Sequence, residues 1–118
     1  MKATELMIGN IVEVNGGPQR IRQVSRRKIG YCPLGSPTRS YARVNEINPI
    51  PITEELLVRN GFDKIGLGLF RRESADGNIV LRESDGIWEV NSSMVDISYL
   101  HQLQNLLNIM DIKLDFVV

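Results

Sequence analysis

The chain has 118 residues, of which 42% are hydrophobic and 24% charged, with ten glycines and a single cysteine. That composition excludes disordered and fibrous classes, an internal disulfide and any multi-cysteine zinc site, and a chain of this length buries about two-thirds of its unfolded surface. Fourteen basic side chains balance fourteen acidic ones, the sequence pI is 6.6, and no segment approaches the roughly 18 apolar residues of a spanning helix.

The opening "MKATELMIGNIVEVNGG" is interrupted by Glu5, Gly9, Asn10 and Glu13, so it lacks the apolar run of a signal peptide and a cytoplasmic location is expected. Two β-rich runs then flank "NGG", and Asn15-Gly16 supplies the positive φ values of a tight hairpin turn. Strands are predicted near Ile11 to Val14 and Gln19 to Val24. Arg26, Arg27 and Lys28 fall at or near the next hairpin tip, Pro33, Gly35 and Pro37 interrupt regular structure, and Tyr41 to Val44 resumes a strand. Short strands at this spacing suggest a small SH3-like or otherwise bent sheet.

"INPIPITEELLVRNGF" is punctuated as a short helix. Pro49 and Pro51 hold an extended entry, Thr53 is the N-cap, and Glu54 and Glu55 face the positive helix end. Ile52 and Leu57 occupy the two positions of a hydrophobic staple, and Gly61 with Phe62 closes the helix. From Leu67 onward an antiparallel meander is expected, with tips at "SADGN" and "SDG" and with Leu69, Ile79, Leu81, Trp88 and Val90 facing the core. "NSS" at 91–93 reads as a polar turn, and "MVDI" adds a fourth strand. Ser98 or Asp96 caps a last helix whose stripe is Tyr99, Leu103, Leu106 and Met110, with Leu100 and Leu107 flanking. "DIKLDFVV" pairs as a final strand with Ile112, Leu114 and Phe116 on one face.

Few residues carry the signature of chemistry. Cys32 reads as a buried, inert thiol. His101, the only histidine, falls in the first turn of the last helix on the side away from the leucines. There the helix end favours the neutral ring, which serves equally as a structural group or as a candidate polar site. Asp76, Glu83, Asp85 and Glu89 gather at the meander turns but match no calcium-loop spacing, so they read as solvated charges that discourage edge pairing. "GLGLF" lacks the residues of a phosphate loop. No catalytic residue, metal ligand or cofactor is expected.

Charge is unevenly distributed. Residues 1–48 carry eight basic and three acidic side chains, a net +5, whereas the remaining seventy carry six and eleven, a net −5. Arg20, Arg22, Arg26, Arg27, Lys28, Arg39 and Arg43, with Tyr31 and Tyr41 interleaved, suit phosphate contacts beside a stacking ring. The plainer reading, favoured because the pI of 6.6 is not that of a dedicated nucleic-acid domain, is a solvated face or a contact with the acidic half of a neighbour.

Three segments, "ELMIGNIV", "INPIPITEELLVRNGF" and "YLHQLQNLLNIM", resemble a family of small uncharacterised proteins found in gut-bacterial genomes and their phages. The resemblance covers roughly a third of the chain. It implies a phage or mobile-element context, with the two helices and the opening strand as the shared frame, and carries over no catalytic residue. The expectation is thus one α+β domain, residues 1–118, with a basic β-rich subregion at 1–48 and an acidic helix–meander–helix subregion at 49–118. As function we expect a non-enzymatic accessory or binding protein whose partner is a nucleic acid or a protein, with no membrane. The rival is a self-assembly module forming a homo-oligomer through its oppositely charged halves.

Overall fold

The computed structural model describes residues 2–91, 93 and 95–118. The α+β chain divides into two units, one ending at Ile50 and the other spanning Pro51–Val118. The division falls two residues beyond the boundary drawn from charge.

Five antiparallel strands build the first unit: β1 (Ile11–Val14), β2 (Gly17–Val24), β3 (Ile29–Pro33), β4 (Ser40–Ala42) and β5 (Ile47–Asn48). Their order is β4-β3-β2-β1-β5. Asn15 and Gly16, at φ 55° and 78°, close the β1–β2 hairpin, as the sequence predicts. β4 stops at Ala42 rather than Val44 because Arg43 N–H donates to Glu46 Oε1 at 2.9 Å, which opens a 3-10 turn over Val44–Glu46. Residues opposite one another share a face of the sheet. One face therefore gathers Val12, Val14, Ile21, Ile29, Tyr31, Ala42 and Ile47, which with Leu6 form the core. A bulge at Arg22 lets Ile21 and Val24, three residues apart, both reach that face.

The second unit contains α1 (Glu54–Arg59), β6 (Asp63–Gly66), β7 (Leu69–Ser74), β8 (Gly77–Ser84), β9 (Ile87–Val90), β10 (Asp96–Ile97) and α2 (Leu100–Ile109). Its sheet runs β10-β9-β8-β7-β6, antiparallel throughout. α1 follows its local signals closely. Thr53 Oγ1 accepts Leu56 N–H at 3.1 Å, and Ile52 and Leu57 are both buried. Phe62 N–H reaches the Leu57 carbonyl and Gly61 N–H the Val58 carbonyl, with Gly61 at φ 83°. That pair of bonds is a complete Schellman motif.

One strand is added and four expectations are corrected in this unit. β6 is a strand the sequence did not show: its four residues are all exposed, so no apolar alternation marks it. On β7 the core residue is Phe70 and not Leu69, because Phe70 lies opposite the buried Leu81 and its ring meets Trp88 at 5.6 Å. Helix α2 has Tyr99 as N-cap, with the Gln102 side chain accepting the Ser98 and Tyr99 N–H groups at 2.8 and 3.1 Å. Its buried stripe is Leu100, Leu103 and Leu107, while Tyr99, Leu106 and Met110 are left partly or largely exposed. Finally, 111–118 forms no strand. It runs past the buried Asn60, whose side chain accepts Val117 N–H at 2.7 Å and donates to the Val117 carbonyl at 2.8 Å. Ile112 and Phe116 are buried, as expected, and Leu114 partly so.

Of the segment "MVDI", Met94 lies outside the described residues and the strand occupies only Asp96 and Ile97. Ser92 of "NSS" likewise lies outside them. Asn91 takes φ 49° and accepts Val80 N–H at 2.6 Å.

Candidate nucleic-acid interface

The face of the first sheet opposite its core is set by the register. Arg20 lies opposite Ile11 on one side and Cys32 on the other, and Gly30 lies between Gln23 and Tyr41. None of these residues belongs to the core cluster. Arg22 reaches the same face, since its Nε donates to Cys32 Sγ at 3.2 Å. That contact accounts for the thiol: Cys32 is buried beneath an arginine. Arg20 is tied down by an Nη1–H bond to the Gly9 carbonyl at 3.3 Å.

Around Gly30 the packing is close. A Cβ built there would approach Gln23 Cβ at 2.9 Å, Tyr41 Cε1 at 3.2 Å and Arg39 Cδ at 3.4 Å, so the Tyr41 ring and the Arg39 stem rest on the β3 backbone. The Lys28 ammonium lies 4.3 Å from the Tyr41 ring centroid, a cation–π contact. Arg26 and Arg27 are exposed at the β2–β3 turn, which Ser25 shapes by donating its hydroxyl to the Lys28 carbonyl at 2.8 Å and accepting Lys28 N–H at 3.3 Å. Arg43 is exposed immediately after β4.

Of the nine residues singled out in the sequence, this face thus brings together Arg20, Arg22, Lys28, Arg39 and Tyr41, with Arg26, Arg27 and Arg43 at its margins. Tyr31 is the exception: it lies on the core face at 8% exposure, opposite Ile21, and offers no ring to a ligand. Among the described residues, none of these seven cations has a carboxylate within 4.0 Å, whereas Arg59–Glu55, Lys64–Glu54 and Arg71–Glu73 are ion pairs of the second unit. Gly30 is the member that sequence reasoning missed. Its role appears only once β4 is placed opposite it.

His101 is buried at 2% exposure, its ring stacked on Tyr99 with centroids 6.1 Å apart. The sequence placed it on the side away from the leucine stripe, yet that position is buried as well. The 51–52 entry pairs with the residues just before α2, through a Pro51–Tyr99 bridge and an Ile52 N–H bond to the Ser98 carbonyl at 3.0 Å.

Two of the meander acids hold backbone groups. Glu83 Oε1 accepts Gly86 N–H at 2.9 Å, and Asp76 Oδ2 accepts Lys113 N–H at 3.0 Å. The second unit also has an open cleft of about 510 Å³, lined by Gly61, Asp63, Ile65, Arg71, Arg72 and Glu73. Arg71 is paired there with Glu73, and Arg72 donates to the Asn60 carbonyl. Among the described residues no helix is long and apolar enough to cross a membrane. No protein-family model, curated protein or solved structure matches the chain.

Proposed function

We propose that the chain is a binding protein whose first unit contacts nucleic acid along its phosphates, through the cationic face of β2, β3 and β4. The observation that carries this reading is one shared sheet face: the register sets Arg20 opposite Cys32 and Tyr41 opposite Gly30, Arg22 and Arg39 reach those same residues, and Arg26, Arg27 and Arg43 border them, without acidic partners among the described residues. Arginines in this state keep their full charge available to a polyanion, and binding releases the counterions condensed on it. The β4-β3-β2-β1-β5 order, with a 3-10 turn between β4 and β5, supports treating this unit as a small SH3-like sheet. The resemblance of three segments supports an accessory role in a phage or mobile element.

Fluorescence anisotropy with labelled single-stranded and duplex oligonucleotides, titrated between 50 and 200 mM salt, tests the proposal. Affinity should fall steeply with salt. Replacing Arg26, Arg27 and Arg39 together should flatten the single-strand slope by about 0.7 for each cation that meets a phosphate. An absence of binding at the lowest salt would overturn it.

The opposite net charges of the two units favour a second reading, self-assembly between copies. Light scattering at low and high salt checks it, because oligomers held by such charges dissociate as screening shortens their range. A monomer under both conditions removes that reading.

A further inference from the structure

Resting on the nucleic-acid reading above, we propose that Tyr41 is the base-stacking position of a single-strand site, so that this face takes single-stranded nucleic acid in preference to duplex. Tyr41 stands directly opposite Gly30, and the missing Cβ lets one side of the ring settle on the β3 backbone beside the Arg39 stem. The residue is nonetheless 48% exposed. A ring fixed in this way loses little freedom when a base lies on it.

The Lys28 ammonium, 4.3 Å from the ring centroid, occupies the space an incoming base needs. It is carried on a flexible four-carbon stem. An arriving base displaces it from the ring, and the ammonium moves to the adjoining phosphate, exchanging an exposed cation–π contact for a charge pair. Base-on-ring stacking is the stronger contact of the two. A duplex cannot make this exchange without extruding a paired base. Its phosphates can still meet Arg26, Arg27 and Arg43, so duplex binding should persist at lower affinity.

The test uses the whole chain, a labelled oligothymidylate, a matched duplex and polyglutamate. Wild type should favour the single strand. Tyr41→Leu, which still covers Gly30, should lose about tenfold on the single strand and nothing on the duplex, while Tyr41→Phe keeps the preference. A strand carrying 5-iodouracil, irradiated with the wild-type protein and mapped by mass spectrometry, should label Tyr41; that arm stands even if the leucine variant fails to fold. Labelling at another residue, or unchanged single-strand affinity in Tyr41→Leu, overturns the stacking position while leaving the phosphate reading intact. Polyglutamate bound as tightly as the oligonucleotide, with no effect of Tyr41→Leu, points to an acidic protein partner and overturns it as well. Silence towards every nucleic acid at low salt overturns both readings.

Discussion

Asn60 is buried, and every part of its amide is used: Nδ2 donates to the Leu56 and Val117 carbonyls, each at 2.8 Å, and Oδ1 accepts Val117 N–H at 2.7 Å. The side chain imitates a strand's edge for a segment that has no strand beside it. Asn60→Ala removes all three bonds and should cost about 2–3 kcal/mol in urea unfolding. Asn60→Asp should cost more, because it sets a carboxylate oxygen, in place of the donating nitrogen, against two carbonyls; a variant as stable as wild type would refute this account. Phe70 and Leu69 offer a second comparison. Phe70→Ala empties a core site and should cost about 3–5 kcal/mol, whereas Leu69→Ala, on the other face, should cost under about 1 kcal/mol. Equal losses in thermal melts would show that the face assignment is wrong. The sequence could not decide between these neighbours, since "LF" offers an apolar residue at either parity. Only the pairing of Phe70 with Leu81 settles it.

Elements bounded by local chemistry were legible. α1 begins at the cap and ends at the glycine the sequence marks, because a cap bond and a left-handed residue act over three or four positions and need nothing distant. Thr53→Ala should lower stability by about 1 kcal/mol. Gly61→Ala should lower it by about 1–2 kcal/mol, from its positive φ, and adds a Cβ 3.1 Å from Arg72 Nη1. Both losses are read from chemical denaturation, and a neutral Gly61→Ala would deny the closing motif its role. Elements made by a neighbour were not legible. β6 has no buried residue of its own and is defined by its ladder to β7. The last eight residues look like a strand by alternation, yet their backbone bonds go to the side chains of Asn60 and Asp76. In α2 the leucines recur at every helical step, so periodicity alone left the buried stripe free to rotate.

Across the whole molecule the longest strands, β2 and β8 at eight residues each, are the central strands of their sheets. Each is bonded on both sides, and its exchange requires opening the sheet around it. Amide hydrogen exchange should therefore be slowest in the interiors of β2 and β8 and fastest in the edge strands β4, β5, β6 and β10; rapid exchange throughout β2 would contradict its central place in the sheet. The cationic face also belongs to this scale. Strict alternation after Ile21 would send Val24 outward, and the Arg22 bulge reverses that, keeping Val24 with the core and Gln23 beside Gly30. A one-residue insertion of this kind changes the face of everything after it. Nothing in "IRQVSRR" announces it.

From its own residues the chain determined an α+β composition, the hairpin at Asn15-Gly16, the capped helix α1 and the imbalance of charge between its two parts, because turns, caps and charge counts depend on near neighbours in the chain. Tertiary pairing alone decided that Tyr31 turns inward while Tyr41 lies on Gly30 under Lys28, and that Phe70, Asn60 and His101 are interior. Those outcomes depend on which residue stands opposite which, and strand register is a property of two distant segments meeting.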